Sequence, residues 1–397
     1  MFKLTGTLQH YAWGDTSSIA MLQGRKPDGQ PEAEMWFGAH PSAPSDTAEG
    51  PLDAVIAANP VKVLGEQTAT QWDNRLPFLV KLLAAKQPLS IQAHPSIAQA
   101  KEGFAREDAA SIPRDAAHRN YKDENHKPEI LVALTPFRAM AGFRPIEDTV
   151  RMLAAFELPE LDEARGMLVD ESLEALLRHW LSLDTPTPLV DAVVARAGEL
   201  AAAGHADPDV ARLADNIVFI GQEFPGDVGV LAALLLNHIV LEPGEAVFLP
   251  AGNLHAYLEG FGVEVMANSD NVLRGGLTSK HIDVDELMDI LIFTPIADPT
   301  LDVVAHMGET VRGEVSCTEY PVPVKDFAVS RYSSQSAGEK LLDMDHGPAI
   351  VLVVAGQIEV DSSVNLGPGE AAFVAADDGV VAATWDGAAD FFVIHPG

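Results

Sequence analysis

The spacing of hydrophobic residues divides the chain into three parts. Up to about residue 145, short apolar stretches alternate with Pro and Gly, which predicts strands, loops and some short helices. From about 146 to 237, apolar residues recur at helical spacing, as between Leu173 and Trp180, and predict a set of helices. From about Ile239 onward, short apolar runs separated by Pro and Gly predict antiparallel strands. The residues around Gly103 to Pro113 read as loops.

An internal repeat indicates two related β-domains. Residues 241–251 (LEPGEAVFLPA) align without gaps to residues 366–376 (LGPGEAAFVAA), and seven of the eleven positions are identical. A Pro-Gly turn before an alternating strand can also arise by convergence, which remains the alternative explanation. The second copy has Val380 where the first has His255, so a metal site is expected in the first copy and not in the second.

The net charge of the chain argues against some classes of binding partner. It has 397 residues, of which 26 are Lys or Arg and 58 are Asp or Glu, giving a formal net charge of −32. This excess of acid argues against binding to nucleic acid or to an anionic membrane surface. Residues 146–237 contain no lysine, so the predicted helices have an acidic surface. The 47% of hydrophobic residues is enough to form sizeable cores.

The N-terminal residues, the longest apolar run and the cysteine count indicate the cellular compartment. The N-terminal residues show no signal peptide, and the longest apolar run, Val228 to Leu236, is too short to span a membrane. Cys317 is the single cysteine, which excludes an intramolecular disulfide and fits a reducing compartment. We therefore expect a cytoplasmic protein, and a monomer because the sequence shows no obvious exposed apolar stripe.

One motif and two shorter patterns supply metal-ligand chemistry. Gly244-x5-Pro250-x-Gly252-x2-His255 matches the second signature of cupins, small β-barrels that hold a metal inside. The usual first cupin signature is missing, but Gln92 and His94 are two residues apart and would share one face of a strand. Glu129 adds a carboxylate before an apolar strand. One amide oxygen, one carboxylate and two imidazoles suit zinc or a similar divalent ion, although an amide is a weak ligand.

The chain resembles the type I phosphomannose isomerases over essentially its whole length. Separated motifs in the order typical of that family carry the resemblance: YAWG (11–14), AEMW (33–36), GAHP (38–41), LSIQAHP (89–95), HKPE (126–129), PAGNLHAY (250–257) and NSDNVLRGGLTSK (268–280).

The resemblance implies a fold and a cofactor. The fold is mainly β, with two cupin-type jelly-roll barrels and an inserted all-α helical domain. We expect a discontinuous metal-binding domain (residues 1–145 plus 238–305), the helical insertion (146–237) and a C-terminal cupin-like domain without metal ligands (306–397). One Zn²⁺ per chain would be bound by the residues at the matching positions: Gln92, His94, Glu129 and His255.

The resemblance also implies a reaction, the interconversion of mannose 6-phosphate and fructose 6-phosphate through a cis-enediol. This reaction feeds mannose metabolism and GDP-mannose synthesis. The implied catalytic residues are Arg274, Asp270, Glu264, Lys280 and Lys127. The implied substrate-binding residues are Trp13, Glu34, Lys81, Ser90, Tyr257 and His126, with Lys81 and Ser90 on the phosphate.

Several alternatives stay open at this level. Lys81 alone would read as a solvated surface lysine, and Glu264 as an outward-facing residue of an exposed sheet. The base that removes the C2 proton is expected to be Asp270, then Glu264, then Lys280. Two other functions remain: a metal-dependent cupin oxygenase, which normally has a two- or three-histidine iron site, and a non-catalytic sugar-phosphate-binding cupin.

Overall fold

Strands and helices alternate in residues 1–145 of the computed structural model, which describes residues 1–170, 172–310 and 313–397. The strands are β1 (Phe2–Leu4), β2 (Thr7–Gln9), β3 (Glu34–Gly38), β4 (Asp46–Thr47), β5 (Gly50–Pro51), β6 (Phe78–Ala85), β7 (Ile91–Ala93), β8 (Glu129–Ala133) and β9 (Phe137–Phe143). The helices are α1 (Ser18–Leu22), α2 (Leu52–Ala58), α3 (Pro60–Leu64), α4 (Glu66–Gln71) and α5 (Ile97–Ala109).

Helix α5 corrects the expectation that the residues around Gly103 form loops. It begins with a capping box, in which Ser96 Oγ accepts from the N–H of Gln99 and the Gln99 side chain accepts from the N–H of Ser96. Its buried face has small or polar residues, so the sequence lacks the usual apolar stripe. A Cβ on Gly103 would lie 2.3 Å from the Tyr121 ring, and this close packing cannot be read from hydrophobic spacing.

Consecutive helices follow from residue 146 to residue 233, and we call this run the helical segment. They are α6 (Ile146–Ala155), α7 (Glu160–Asp170), α8 (Leu173–Leu181), α9 (Thr187–Ala203), α10 (Pro208–Glu223) and α11 (Gly229–Ala233). The predicted apolar stripe is confirmed, because Leu173, Leu176, Leu177 and Trp180 are all buried in α8. None of the helices in the described residues is long and apolar enough to cross a bilayer.

Strands return after the helical segment. The next elements are β10 (Leu236–Leu241), β11 (Ala246–Leu249), β12 (His255–Ala267), β13 (Leu273–Gly276) and helix α12 (Val284–Ile290). The C-terminal strands are β14 (Val304–Thr310), β15 (Gly313–Tyr320), β16 (Ala328–Ser334), β17 (Gly338–Asp343), β18 (Ala349–Ala355), β19 (Ile358–Val360), β20 (Val364–Leu366), β21 (Ala371–Val374), β22 (Val380–Trp385) and β23 (Ala389–His395). Single 3₁₀ turns occur at Met344–His346 and Ala376–Asp378.

One large sheet contains strands from both sides of the helical segment. Its main path is β10-β9-β12-β6-β3-β2, and β7, β8, β11 and β13 attach beside it. Strand β10 pairs with β9, so the chain leaves the sheet at Phe143 and returns next to it at Leu236. Strand β12 pairs first with β9 and then with β6. It turns between them at Gly260, whose φ is +146° and where a Cβ would lie 2.6 Å from the Phe137 ring.

The C-terminal strands form two sheets that pack face to face. Among the described residues their orders are β1-β21-β18-β23-β16-β15-β14 and β17-β22-β19-β20. Val351 and Val353 of β18 pack in the core between these two sheets. Ile350 and Leu352, which alternate with them, pack on the opposite side in a core shared with the large sheet. The fold is therefore mainly β, and its layers share continuous cores.

The two copies of the internal repeat have the same local structure. Gly244 lies in the turn between β10 and β11, and Gly369 lies in the turn between β20 and β21, with φ of +95° and +74°. In each turn a glutamate Oε2 accepts from the N–H three residues before it, at 2.8 Å for Glu245 and 2.9 Å for Glu370. The likeness therefore extends from the sequence to the hydrogen bonds of the turn.

Candidate metal centre and active site

Three buried side chains from separate strands converge in the large sheet. His94 follows β7, Glu129 begins β8 and His255 begins β12. Nε2 of His94 lies 3.4 Å from Oε1 of Glu129, and Nε2 of His255 lies 3.4 Å from Oε2 of the same carboxylate. Within the described residues this is the group of His, Cys, Asp or Glu side chains that could hold a metal ion. We call these three residues the metal cluster.

Backbone carbonyls fix the orientation of both imidazole rings. Nδ1 of His94 lies 2.7 Å from the carbonyl oxygen of Asn271, and Nδ1 of His255 lies 2.9 Å from that of Asn253. Because a carbonyl only accepts, each Nδ1 donates, and Nε2 is the ring atom that faces the carboxylate of Glu129. Both Nε2 atoms and Oε2 of Glu129 are buried without a hydrogen-bond partner. Buried ligand atoms that face one another in this way fit a divalent ion such as zinc.

The electrostatics of the metal cluster favour the metal-binding forms of its side chains. Burial lowers the pKa of His94 to about 4, so its ring is neutral at neutral pH. Burial alone would raise the pKa of Glu129, but the ammonium of Lys127, 3.0 Å from Oε1, and the adjacent His94 hold it well below its usual value. A neutral imidazole and an ionised carboxylate are the forms that coordinate metal.

The backbone places the fourth predicted ligand, Gln92, beside the metal cluster. Gln92 on β7 pairs with His255 on β12 and, on its other side, with Arg274 on β13. Its amide therefore starts from the strand position next to a cluster histidine. Coordination by Gln92 stays a prediction.

A second set of charged side chains is buried beside the metal cluster. Nζ of Lys81 on β6 lies 2.8 Å from Oε2 of Glu264 on β12 and 3.4 Å from Oε1 of Glu34 on β3. Lys81 is 5% exposed and Glu264 is 3% exposed. These values exclude the solvated lysine and the outward-facing glutamate that the sequence left open. We call Glu34, Lys81 and Glu264 the buried ion-pair group.

The members of the buried ion-pair group shift each other's pKa values. Burial raises the pKa of Glu264, and Glu129 raises it further, while Lys81 opposes the shift. Burial alone would lower the pKa of Lys81, but Glu264 and Glu34 raise it. Burial, together with Glu264 and Glu129, also raises the pKa of Tyr257, so its hydroxyl stays protonated.

Arg274, Lys280 and Lys122 form a set of neighbouring cations, which we call the cation group. Burial lowers the pKa of Arg274, and burial together with Arg274 and Lys122 lowers the pKa of Lys280. In the described residues, no carboxylate contributes to either shift. Among the described residues no salt bridge to a member of the cation group occurs, whereas Lys81 has two carboxylate partners.

Four other residues that the sequence predicts in the site lie outside the three groups described above. The side chain of Asp270 is 51% exposed, and its Oδ1 lies 3.7 Å from Nε2 of His40. Ser90 is half-buried immediately before β7, and Trp13 packs against the core that contains Tyr257. His126 is directed elsewhere, because its Nε2 lies 3.0 Å from both carboxylate oxygens of Asp326.

Two residues that the sequence reasoning missed, Asn271 and Lys122, are linked. The Asn271 side chain accepts from the N–H of Lys122 at 2.7 Å and donates to the carbonyl of Asn125 at 2.8 Å. Its own carbonyl holds His94, so one residue joins the 122–125 loop to the metal cluster. The position of Asn271 within the 268–280 motif was the available signal for it. For Lys122 there was none, because a distant side chain brings it to the site.

Comparison with known proteins gives consistent matches. The family model for the catalytic domain of phosphomannose isomerase type I matches residues 1–146. The mannose-6-phosphate isomerase of Salmonella typhimurium is 39% identical over 98% of both chains. That of Escherichia coli strain K12 is 37% identical over 96% of both, and that of Homo sapiens is 31% identical over 96% of this chain and 94% of the relative.

Solved structures extend the likeness to three dimensions. A crystal structure of the Salmonella typhimurium mannose 6-phosphate isomerase bound to fructose 6-phosphate and zinc superposes with a TM-score of 0.87 and 37% identity. It covers 100% of this chain and 99% of the other. A second structure of a mannose 6-phosphate isomerase, bound with zinc and yttrium, also gives a TM-score of 0.87 at 37% identity, with the same coverage.

Proposed function

The chain belongs to the type I phosphomannose isomerase family, and we propose that its metal cluster is the centre of an aldose–ketose isomerase acting on mannose 6-phosphate and fructose 6-phosphate. The observation that carries this proposal is the convergence of three buried, unpartnered ligand atoms from His94, Glu129 and His255. It occurs in a chain that matches mannose-6-phosphate isomerases along almost its full length. The oxygenase alternative has less support, because the relatives that match this chain along almost its full length are mannose-6-phosphate isomerases.

One Zn²⁺ per chain is the proposed cofactor, bound by His94, Glu129 and His255 with Gln92 as the fourth ligand. Two imidazoles and a carboxylate are a set that zinc accepts. When bound, zinc supplies Lewis acidity that makes the C–H next to a sugar carbonyl more acidic. The protein's own part is to orient the two imidazole rings, through the carbonyls of Asn271 and Asn253, so that each Nε2 faces the Glu129 carboxylate.

The reaction needs a base that takes the proton from C2 of the open-chain aldose and returns it at C1, through a cis-enediol. We propose Asp270, because its carboxylate is half-exposed and next to His40, whereas Glu264 is buried against Lys81. Glu264 and Lys280 are the second and third candidates. Lys127, 3.0 Å from Glu129, is placed to donate a proton or a hydrogen bond beside the metal cluster.

The cation group is the proposed binding site for the substrate phosphate. On a chain with net charge −32, the average field repels an anion, so binding depends on local unpaired cations. Arg274 lies next to Gln92 in the sheet, which puts this charge near the metal cluster. Lys122 adds a cation that the sequence did not suggest. Contact of phosphate with Lys81 and Ser90 stays a prediction, and Lys81 already has two carboxylate partners.

The remaining predicted pocket residues are proposed to order the site around the sugar. Glu34 accepts from the indole N–H of Trp36 at 2.7 Å and so is fixed in place beside Lys81. Tyr257 and Trp13 pack against the same core next to His255. His126 is proposed to act through its pairing with Asp326, which anchors the loop before Glu129 to the C-terminal part.

Within the mainly β fold, we propose the domain organisation that the sequence predicts. Two cupin-type barrels would comprise residues 1–145 plus 238–305 and residues 306–397, with 146–237 inserted. The pairing of β9 with β10 across the helical segment supports the insertion, and the matching repeat turns support two related barrels. Strand β1 of the N-terminal part would then belong to the C-terminal barrel, since it pairs with β21.

The cellular role is proposed to be the supply of mannose 6-phosphate or fructose 6-phosphate to mannose metabolism and GDP-mannose synthesis. The single cysteine, Cys317, fits the cytoplasm as the compartment. A monomer remains the expected state.

A coupled assay with metal analysis tests the function. Zinc in the purified protein and formation of fructose 6-phosphate from mannose 6-phosphate support the isomerase. Iron with oxygen uptake would support the oxygenase instead. A folded, zinc-loaded sample without turnover would support the non-catalytic sugar-phosphate-binding protein.

A further inference from the structure

A carboxylate of the helical segment accepts hydrogen bonds from the backbone just after β13, the strand that carries Arg274. Oδ1 of Asp227, just before α11, accepts from the N–H of Gly229 at 2.7 Å and from the N–H of Leu277 at 2.8 Å. Its Oδ2 accepts from the N–H of Thr278 at 3.2 Å. Arg274 lies three residues before Leu277 and Lys280 lies two residues after Thr278. We call residues 273–280 the cation loop.

The backbones of α11 and the cation loop are in direct contact. A Cβ on Gly276 would lie 2.2 Å from Cα of Gly229, and a Cβ on Gly229 would lie 2.5 Å from the N of Leu277. Both positions therefore need glycine. This approach lets one carboxylate reach the N–H groups of both segments.

The cation loop has a conformation that needs support from outside. Leu277 has a φ of +53°, in the left-handed region that a leucine seldom adopts without stabilising contacts. Its N–H is one of the groups that Asp227 binds. Thr278 continues the connection, because its Oγ1 accepts from the N–H of Lys280 at 3.1 Å. The hydrogen bonds thus run from Asp227 through Thr278 to the backbone of Lys280.

We propose that Asp227 is a positioning residue, through which the helical segment holds the cation loop so that Arg274 and Lys280 face the substrate. This inference rests on the proposed function, since it assumes that the cation loop binds the phosphosugar. Asp227 itself need not touch substrate. A carboxylate that accepts from three N–H groups is a strong anchor, because hydrogen bonds to an ionised acceptor are stronger than neutral ones.

The test compares Asp227→Ala and Asp227→Asn with a matched control, Asp207→Ala. Asp207 also lies in the helical segment and caps α10, accepting from the N–H of Asp209 at 2.9 Å. The Asn variant keeps one acceptor oxygen for the N–H groups of Leu277 and Gly229. Its NH2 group replaces Oδ2 and cannot accept from the N–H of Thr278. Hydrogen–deuterium exchange of peptides covering 273–280, zinc content, kcat and KM are measured on each full-length protein.

Asp227→Ala is expected to speed exchange in the cation loop and to lower kcat/KM on the order of tenfold to a hundredfold, because small displacements of binding groups have large effects on rate. Asp227→Asn should lie between it and the wild type. Zinc content should be unchanged in all three variants, and Asp207→Ala should keep wild-type exchange in residues 273–280 and wild-type kcat/KM.

Two results would overturn the proposal while leaving the enzymatic function intact. One is wild-type exchange of residues 273–280 in both Asp227 variants. The other is an active wild type whose Asp227→Ala and Asp207→Ala variants have equal kcat/KM. If the wild-type protein itself shows no isomerase turnover, the proposed function fails instead, and the exchange data alone then decide whether Asp227 holds the loop.

Discussion

Nζ of Lys81 lies 2.8 Å from Oε2 of Glu264, across one ladder position between β6 and β12 in the interior of the protein. Glu34 lies on the other side of the same ammonium at 3.4 Å. A buried ion pair adds little stability by itself, but removal of one partner leaves an uncompensated charge. The pair therefore fixes the charge balance next to the metal cluster and makes its two members dependent on each other.

The first prediction follows from this dependence. Lys81→Met should lower the free energy of unfolding by about 3 kcal/mol, because Glu264 then stays buried near Glu129 without its cation. The double variant Lys81→Met with Glu264→Gln should recover more than half of that loss. Guanidinium denaturation of both proteins measures the difference. A double variant no more stable than the single one would contradict the pairing.

The second prediction concerns the cation group. Arg274→Ala should lower kcat/KM for mannose 6-phosphate by roughly a hundredfold, about 3 kcal/mol, because the proposed charge-assisted contact with the phosphate is lost. Zinc content should not change. Arg75→Ala is the control, since Arg75 is 77% exposed and pairs only locally with Asp73. An unchanged kcat/KM in Arg274→Ala would show that Arg274 has a structural role.

The third prediction separates the two candidate bases. Asp270→Asn should lower kcat by about 10²- to 10⁴-fold and slow the exchange of solvent deuterium into the sugar to the same extent. Glu264→Gln should have the smaller effect on exchange, because Glu264 is paired with Lys81. Mass spectrometry of the product in D₂O reports the exchange. If Glu264→Gln alone abolished it, the assignment of the base would have to be reversed.

The fourth prediction is a pH dependence of stability at the junction of the helical segment and β10. His238 is buried: its Nδ1 lies 2.8 Å from Asn216 Nδ2, which donates to it, and its Nε2 donates to the carbonyl of Ala233 at 2.9 Å. Burial, with help from Arg144, lowers its pKa to about 3. In the unfolded chain, the His238 imidazole binds a proton near pH 6.5. The contribution of buried, neutral His238 to the free energy of unfolding is therefore complete above that pH and is lost as pH falls toward 3.

His238→Gln removes that titration. Between pH 6 and pH 5, the wild type should lose about 1 kcal/mol more of its unfolding free energy than the variant. Denaturant unfolding at the two pH values measures both losses. Equal losses would show that His238 is not held neutral in the folded protein.

The sequence motifs predicted that His94, Glu129 and His255 lie together, because these residues follow strand geometry, while ligation by Gln92 stays a prediction. His94 immediately follows β7, and His255 begins the strand that follows the Gly-rich turns. The sequence could not decide whether Glu264 is buried or exposed. In a Val-Glu-Val strand pattern the Glu side chain can lie on either face of the sheet until the neighbouring strands are known. Its salt bridge to Lys81, which also pairs with Glu34, shows that the side chain is buried.

Residues whose role depends on distant partners were not predictable. Lys122 enters the cation group because the side chain of Asn271 binds its backbone, across 149 positions of sequence. Asp227 meets Leu277 across 50 positions. Neither residue lies in a periodic pattern or has a recognisable ligand spacing. Helix α5 was missed for a related reason, because the Gly103–Tyr121 contact that anchors it is formed only in the folded protein.

Zinc content of His255→Ala is the direct test of the metal cluster. His179→Ala is the control, because His179 is exposed on α8. We expect one zinc per chain in the wild type and the control. We expect loss of zinc and of turnover in His255→Ala, with most of the fold retained, because the helical segment and the C-terminal sheets are stabilised by their own hydrophobic cores. Zinc at wild-type stoichiometry in folded His255→Ala would contradict the assignment of the metal centre.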